Sequence, residues 1–565
     1  MKPQRALQVV ASWRSVLVSM SVAAAATTLS LACTFAFSAD DTSGTNPRTN
    51  PRTNPSTNPS TNPSTNTTNG ALEGTRSEGV DVYRGIPFAA PPVGNLRWRE
   101  PQPPASWTGV RSAAAFGTAC IQKLGLSLEG GGDPGPLSED CLYLNVWSPN
   151  ANSKQVGGSK RPVMVWLHGG ALIFGAGSLK LYDGTALAEQ GVVVVTVNYR
   201  LGPLGYFVHP ALERAAPGGP ANFGLLDQMA ALRWVQRNIA AFGGDPQQVT
   251  LFGQSAGAQS VLALMASPMA RGLFQRAVAQ SPYGIPSHSR EQARETGVRV
   301  TQALGLRGER ANLAAMRGIP AESFARLEGT DLSLAPGLII GEPALPRPIL
   351  ATFQAQQQAK VPLIIGSNSD ETSVAVVMGL DPAALLKKMG AANILIRPMY
   401  PELQGTGNDA ELGRQVVRDV AFSAFSRRIA VLHSQTTPTW RYYFSHVAQR
   451  AVNAKPGAAH GDEVTSVFGT GDLCECLPIK LTDADRQVGQ QMAARWVAFA
   501  KAGNPNVPVN LQTSATTPNW PNDSRYRPVV LEFGDQQTVQ PNFMNARLNR
   551  FISALNLIGR GKPRG

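Results

Sequence analysis

The chain has 565 residues, of which 43% are hydrophobic and 16% are charged, and its formal net charge is +13. This length and composition are typical of a globular protein with a sizeable core and exclude a disordered chain. Residues 1–70 carry five basic side chains against two acidic ones, a net +3, which leaves +10 for the rest. Arg and Lys do not cluster with interleaved aromatic residues, so we predict no nucleic-acid partner.

The N-terminus has the pattern of a targeting segment. Basic side chains precede a long apolar run at residues 16–37, and the small residues Ala36 and Ser38 suit a signal peptidase. We therefore predict a signal peptide at residues 1–38 and an exported protein, periplasmic or secreted. An apolar run of this length could also span a bilayer if it stays uncut, and Cys33 offers a site for lipidation, so an envelope anchor is an open alternative.

Residues 39–70 are of low complexity. Thr-Asn-Pro-Arg and Thr-Asn-Pro-Ser repeat along the segment, and a proline at every fourth position prevents regular backbone hydrogen bonding. We predict a disordered spacer here, followed by a single globular domain at residues 71–565. A spacer behind an export signal favours tethering to a membrane or the cell envelope, although a tolerated tail is an equal alternative.

The predicted elements of the domain alternate between strands and helices. Continuous apolar runs indicate central parallel strands, and helical spacing of apolar residues indicates helices between them. The elements in chain order are an edge strand at 80–88, strands at 141–147, 162–167 and 192–198, a helix at 224–241, a strand at 249–252, a helix at 258–265, and strands at 361–366 and 440–444. This alternation predicts an α/β fold with a large, mostly parallel, doubly wound sheet flanked by helices.

Ser255 lies where the strand at 249–252 turns into the following helix. The sequence from Gly253 to Gly257 is Gly-x-Ser-x-Gly, in which small residues let strand and helix approach closely. Such a turn strains the backbone at the serine, exposes its hydroxyl, and directs N–H groups of the helix N-terminus towards a developing oxyanion. We predict that Ser255 is a nucleophile with the N–H of Ala256 as one oxyanion donor.

Further oxyanion donors are predicted after the strand at 162–167. There His168-Gly169-Gly170-Ala171 offers glycines that let backbone N–H groups turn towards a bound carbonyl oxygen.

The base and the acid are sought after the serine, because that is their order in enzymes with a serine on this kind of turn. Three histidines follow both Ser255 and the candidate acids: His433 in a helical stretch, His446 at a strand end, and His460 in a late loop. The loop position favours His460 as the base. Asp370 and Glu371 both follow the carboxyl end of the strand at 361–366, and spacing alone does not separate them as the acid.

The combination of motifs resembles the type-B carboxylesterases, the α/β-hydrolase family that includes cholinesterases and bacterial para-nitrobenzyl esterases. The resemblance spans about residues 75–505 and rests on residues 83–89, 91–94, 138–145, 168–171, 198–202, 224–228 and 253–257, and on His460 with Glu463.

The resemblance implies a serine esterase with three catalytic residues, three oxyanion donors, one disulfide and two buried ion pairs. These are Ser255, Glu371 and His460; Gly170, Ala171 and Ala256; Cys120 with Cys141; and Arg97 with Glu139 and Arg200 with Asp227. No cofactor and no metal ion are expected. The substrate would be a small-molecule or polymeric carboxylic ester.

Two departures from the cholinesterase pattern narrow the expected substrate. Gln254 precedes the nucleophile where cholinesterases carry a glutamate, and residues 121–140 contain no aromatic side chain that could bind a quaternary ammonium group. Together with the basic net charge, these features favour a neutral or anionic extracellular ester over choline esters. Leu172 after Ala171 also differs from the Gly-Phe of many relatives, which changes a pocket wall but keeps the backbone donor.

Other functions remain alternatives. One is a catalytically inactive, cholinesterase-like binding or adhesion domain, although such a domain would be expected to lose the serine or the histidine. Others are a lipase, an amidase or a polyester hydrolase. Cys474 and Cys476 are too close for an easy disulfide, so their state stays open.

Overall fold

A computed structural model of the chain describes residues 62–125, 131–150, 160–328, 336–377, 381–390, 392–452, 455–473, 480–506 and 517–559. The predicted signal peptide, most of the predicted spacer, Cys33, and the pair Cys474 and Cys476 lie outside these residues.

The strands of the described residues are numbered in chain order. They are β1 (Ser64–Thr67), β2 (Gly70–Glu73), β3 (Thr75–Ser77), β4 (Val80–Pro87), β5 (Val110–Ser112), β6 (Ala119–Cys120), β7 (Leu137–Ser138), β8 (Tyr143–Pro149), β9 (Arg161–Leu167), β10 (Val193–Val197), β11 (Gly244–Gln254), β12 (Arg276–Gln280), β13 (Leu363–Asn368), β14 (Thr439–Phe444), β15 (Val529–Phe533) and β16 (Gln537–Pro541).

The α-helices of the described residues are numbered in the same way. They are α1 (Thr185–Glu189), α2 (Gly202–Gly205), α3 (Pro210–Ala215), α4 (Phe223–Asn238), α5 (Ala256–Ala266), α6 (Arg290–Ala303), α7 (Leu313–Arg317), α8 (Glu322–Glu328), α9 (Ile349–Gln354), α10 (Thr372–Val377), α11 (Pro382–Lys388), α12 (Ala392–Ile396), α13 (Asp409–Arg418), α14 (Ala424–His433), α15 (Asp462–Phe468), α16 (Asp483–Ala502) and α17 (Asn545–Gly559). None of these helices combines the length and the apolar character that a membrane span requires.

The main sheet has eleven strands in the order β16-β15-β14-β13-β12-β11-β9-β10-β8-β4-β3. The strands from β15 to β10 pair in parallel, whereas β16 at one end and β8, β4 and β3 at the other pair antiparallel. The predicted α/β class with a large, mostly parallel sheet is therefore confirmed. In parallel strands the carboxyl ends share one edge, which is where loops gather functional groups.

Both faces of the sheet are covered, and β9 illustrates how. Val163, Val165 and Leu167 pack with α4 and α5 on one face, while Met164 and Trp166 pack with α15 and α16 on the other. Because successive side chains of a strand point to opposite faces, burial on both faces requires the continuous apolar run seen in the sequence.

Two details of the prediction are wrong: the position of one strand in the sheet and the residue at which the spacer ends. The strand at 80–88 was expected at the sheet edge, but β3 pairs with the outer side of β4 through Thr75–Ser77 and is itself the edge. The spacer was expected to extend to residue 70, but β1 pairs with β2, and the N–H of Thr68 donates to Oδ1 of Asn238 on α4 at 2.8 Å. These contacts join the last residues of the repeat segment to the globular domain.

Candidate functional site

Ser255 lies on the predicted sharp turn between β11 and α5. Its φ of 55° and ψ of −121° are strained for a residue with a side chain, and its N–H donates to the backbone oxygen of Gln280 on β12 at 2.9 Å. A Cβ atom on Gly257 would lie 2.0 Å from the backbone oxygen of Leu167, and one on Gly253 would lie 2.7 Å from the same atom. Both glycines are therefore required for α5 to cross this close to β9.

His460 and Glu371 are brought together by two loops that leave the carboxyl side of the sheet. Nδ1 of His460 lies 2.5 Å from Oε2 of Glu371, and the Glu371 carboxylate is fully buried. Its other oxygen accepts the N–H of Asn368 at 2.6 Å. Burial opposes a charged imidazole, but the nearby carboxylates, with Glu371 first, outweigh it and raise the pKa of His460 above its ordinary value.

Asp370, the alternative acid, has a different partner. Its Oδ1 lies 2.7 Å from a guanidinium nitrogen of Arg414 on α13. Burial raises the pKa of Asp370 to about 6, although Arg414 acts in the opposite direction. The structure thus directs Glu371 towards His460 and Asp370 towards Arg414.

Nε2 of His460 faces the residue that precedes Ser255. It lies 3.1 Å from Nε2 of Gln254. If the Nδ1 proton of the imidazole donates to Glu371, Nε2 carries the lone pair and accepts a hydrogen bond from the Gln254 amide. This is the tautomer that a general base needs. The sequence singled out Gln254 as a departure from a pattern, but it did not predict this contact.

The predicted oxyanion donors lie on two neighbouring turns. Gly170 has a φ of 108° and Ala171 a φ of 52°, directly after β9, and Ala256 is the first residue of α5. No hydrogen bond between described residues uses the backbone N–H of any of the three. A Cβ on Gly170 would lie 2.0 Å from the backbone oxygen of Phe174, so this turn requires glycine.

His168 precedes the Gly169–Gly170 turn, and its contacts with Tyr199 hold the start of that turn in place. Its ring is buried and stacks on Tyr199 with 4.3 Å between ring centroids, and the Tyr199 hydroxyl donates to the backbone oxygen of His168 at 2.7 Å. Burial lowers the pKa of His168 to about 4, so this imidazole is neutral. It therefore serves as an uncharged packing element under the turn.

The two other candidate histidines lie in separate environments. Nε2 of His433 contacts the backbone oxygen of Val361 at 2.8 Å, and burial lowers the pKa of His433 to about 4. His446 is held between Asp485 and Asp535, with 3.0 Å to each. The sequence did not predict these contacts, because neither aspartate is near His446 along the chain.

A second buried carboxylate, Glu463 on α15, lies close to His460. It accepts hydrogen bonds from Nδ2 of Asn368 at 2.5 Å and from Nε2 of Gln280 at 3.2 Å. Burial and then the neighbouring Glu371 raise the pKa of Glu463 to about 7. Asn368 thereby joins Glu463 to Glu371, a role that the sequence did not predict because its partner is 95 residues away.

The disulfide and the ion pairs implied by the resemblance are present in the structure. Cys120 and Cys141 are bonded to each other. The Arg97 guanidinium forms two hydrogen bonds with Glu139, at 2.7 and 2.5 Å, and that of Arg200 forms two with Asp227, both at 2.7 Å. In the described residues, no group of three or more His, Cys, Asp and Glu side chains is arranged to hold a metal ion.

Comparisons with known proteins agree on one family. The sequence profile of the Carboxylesterase family matches residues 61–551. The chain is 36% identical over 493 residues to the fumonisin B1 esterase of Sphingopyxis macrogoltabida, covering 83% of this chain and 86% of that protein. It is 36% identical over 465 residues to the para-nitrobenzyl esterase of Bacillus subtilis, covering 80% and 91%. A solved structure of a PNB esterase superposes with a TM-score of 0.73 at 33% identity, covering 87% of this chain and 99% of that one.

Proposed function

Because the chain belongs to the carboxylesterase family and is a carboxylic ester hydrolase of the α/β-hydrolase fold, we propose that it cleaves esters through a Ser255–His460–Glu371 triad. The observation that carries this proposal is the short contact between Nδ1 of His460 and the buried carboxylate of Glu371, with Nε2 facing the Ser255 turn. Triads of this kind are recognised by the geometry and the roles of their groups and not by sequence position.

Acylation starts when Ser255 attacks the ester carbonyl. His460 takes the hydroxyl proton at Nε2, and Glu371 holds the imidazole in the required tautomer and stabilises its charged form. The N–H groups of Gly170, Ala171 and Ala256 hold the oxyanion of the tetrahedral intermediate, since none of them has another partner among the described residues. His460 then gives the proton to the leaving alcohol.

Deacylation repeats these steps with water as the nucleophile. His460 removes a proton from water, the same N–H groups hold the second oxyanion, and Ser255 leaves with the proton from His460. Both half-reactions use chain groups alone, so the proposal includes neither a metal ion nor an organic cofactor.

For the substrate, we propose a neutral or anionic ester rather than a choline ester. The amide of Gln254 lies where cholinesterases carry a carboxylate, so a cationic alcohol loses one favourable charge interaction next to the nucleophile. The formal net charge of +10 on residues 71–565 acts in the same direction over longer distances.

We further propose that the protein is exported, on the basis of the basic and apolar pattern of residues 1–38. N-terminal sequencing of the protein from culture fractions tests this proposal. A mature N-terminus at Ala39 supports cleavage, whereas an intact Met1 in a cytoplasmic fraction contradicts export.

The catalytic roles are tested with paired variants at adjacent residues. Glu371→Gln should lower kcat by about 10⁴-fold, as loss of the tautomer-holding acid does in a comparable triad, while Asp370→Asn should cost less than about 10-fold. A fluorophosphonate probe should label Ser255 and should not label the Ser255→Ala variant. Hydrolysis of p-nitrophenyl acetate retained by Ser255→Ala, or a larger loss in Asp370→Asn than in Glu371→Gln, would overturn the assignment.

Substrate class is tested with a matched ester pair. Acetylthiocholine and its uncharged analogue 3,3-dimethylbutyl thioacetate have nearly the same shape, so their ratio of kcat/KM isolates the effect of the positive charge. We expect the neutral ester to be preferred, and a hemisuccinate p-nitrophenyl ester to be hydrolysed as well. Preference for acetylthiocholine would contradict the substrate proposal and leave the triad untouched.

A further inference from the structure

We propose that Phe422 is a positioning residue that fixes the ring plane of His460, and that a π-helical turn in the α13–α14 helix holds Phe422 in place. The inference rests on the proposed role of His460 as general base. The Phe422 and His460 ring centroids lie 5.3 Å apart with an interplanar angle of 57°, and the Phe422 side chain is buried.

The two hydrogen-bonding contacts of His460 leave one rotation of its ring unconstrained. Nδ1 contacts Glu371 and Nε2 contacts Gln254, and hydrogen bonds at ring nitrogens lie close to the plane of the ring. Rotation of the ring about the Cβ–Cγ bond moves both nitrogens perpendicular to that plane, so it changes neither distance at first order. A side chain against a face of the ring is needed to limit that rotation, and Phe422 provides such a contact.

The backbone around Phe422 departs from regular α-helix. Asp419–Ser423 forms a π-helix between α13 and α14, and all five of its side chains are buried. A π-turn contains about one residue more than an α-turn, so it rotates the following side chains by about 100° relative to an uninterrupted helix. Such bulges are energetically unfavourable and frequently occur at functional sites.

Both ends of this π-helix are anchored by buried polar contacts. At the start, Asp419 lies 2.7 Å from the guanidinium of Arg418 and 2.8 Å from that of Arg547, and it accepts the Tyr400 hydroxyl at 3.0 Å. At the end, the Ser423 hydroxyl lies 3.0 Å from that of Ser367 on β13, the strand that leads to Glu371. The position of Phe422 along the helix is therefore fixed relative to the loop that carries the acid.

The middle of the π-helix is joined to the helix of the nucleophile. The N–H of Gly284 donates to the backbone oxygen of Ala421 at 2.7 Å. The adjacent backbone oxygen of Tyr283 accepts Nε2 of Gln259 on α5 at 2.6 Å, and the Tyr283 ring packs edge-on against Phe422 with 6.4 Å between centroids. The turn at Tyr283 thus couples the helix that follows Ser255 to the ring that faces His460.

Replacement of Phe422 by leucine tests the inference, because leucine keeps an apolar side chain but lacks the flat ring. The chain offers a matched control in Phe353, which faces the buried His433 with 5.7 Å between centroids and an interplanar angle of 56°. Phe353→Leu removes the same kind of ring pair at a histidine outside the site, so it reports the general cost of the substitution.

For Phe422→Leu, we expect kcat for p-nitrophenyl acetate to fall about 10-fold with KM within about two-fold, a part of the 100- to 10,000-fold that general base catalysis contributes. The downfield proton NMR signal of the His460–Glu371 hydrogen bond should broaden or shift. Phe353→Leu should lower the melting temperature to a similar extent and leave both kcat and the proton signal unchanged.

Two outcomes separate this inference from the proposed function. In the first, His460→Ala abolishes hydrolysis, but Phe422→Leu and Phe353→Leu lose kcat equally or the proton signal of Phe422→Leu stays unchanged. Phe422 then has no positioning role, and the inference is wrong. If His460→Ala itself retains activity, the proposed function fails and the inference falls with it.

Discussion

Gln254→Glu places a carboxylate beside the imidazole of His460 and tests whether a charge at residue 254 alters the proposed general base. The substitution keeps the length of the side chain, and the wild-type amide nitrogen lies 3.1 Å from Nε2 of His460 in a largely buried setting. A carboxylate at this distance favours the protonated imidazole and should therefore raise the pKa of His460 further. Because the proposed general base must be neutral to act, the acid limb of kcat/KM should move to higher pH, by about 1 to 3 pH units for a charge this close.

The assay is the pH profile of kcat/KM for p-nitrophenyl acetate, with Gln254→Leu as the uncharged control. Glu371 already raises the pKa of His460 in the wild type. Wild-type activity should therefore fall as the pH drops through this raised pKa. The glutamate variant should be slower at neutral pH and recover at alkaline pH, while the leucine variant should keep its acid limb within about half a unit of wild type. The glutamate variant should also gain rate on acetylthiocholine relative to its neutral analogue.

An unshifted acid limb in Gln254→Glu would refute the reasoning. It would mean either that the new carboxylate stays protonated beside Glu371 and Glu463, or that residue 254 does not face the base in solution. The ester pair distinguishes these cases. If the introduced carboxyl group is protonated at neutral pH, it should ionise at alkaline pH, and the variant should then begin to prefer acetylthiocholine. If the side chain faces elsewhere, the ratio of kcat/KM for the two esters should stay constant at every pH.

Three further predictions concern the oxyanion turn and the frame around it. Gly170→Ala adds a Cβ 2.0 Å from a backbone oxygen at a φ of 108°, so the turn must move, and steady-state kinetics should show kcat lower by about 100- to 1000-fold with a smaller change in KM. Arg200→Met leaves the carboxylate of Asp227 buried without its partner, and urea unfolding should show a loss of about 3 to 5 kcal/mol, partly recovered by adding Asp227→Leu. Replacing Cys120 and Cys141 by alanine opens a loop with a sequence separation of 21, and unfolding under oxidising conditions should show a loss of about 3 kcal/mol with kcat unchanged.

The turn at Ser255 could be predicted from the sequence because its causes are local. Gly253 and Gly257 lie two residues from the serine on either side, and each excludes a Cβ at the crossing of β11, α5 and β9. The central strands were predictable for a related reason, since burial on both faces leaves an uninterrupted apolar run. Such features need no knowledge of distant partners.

Other features have causes far away along the chain. β3 is three residues long with exposed or half-exposed side chains, so only its pairing with β4 defines it as a strand. β1 begins at Ser64, where the proline repeat ends, and the contact of Thr68 with Asn238, 170 residues away, helps to hold it against the domain. The π-helix is also hidden, because all five of its residues are buried and the partners of its polar residues Asp419 and Ser423, such as Arg547 and Ser367, lie far away along the chain.

Asp370 and Glu371 are adjacent, and sequence spacing alone does not show which of the two carboxylates faces His460. Asp370 forms a single parallel bridge with Ala459, so the backbone is extended there and the next side chain points to the opposite side. One carboxylate therefore meets Arg414 and the other meets His460, although both lie on the same loop. That bridge also fixes Ala459, the residue before His460, against the loop that carries both carboxylates. The backbone contact that separates the two carboxylates is thus the same contact that brings the histidine to one of them.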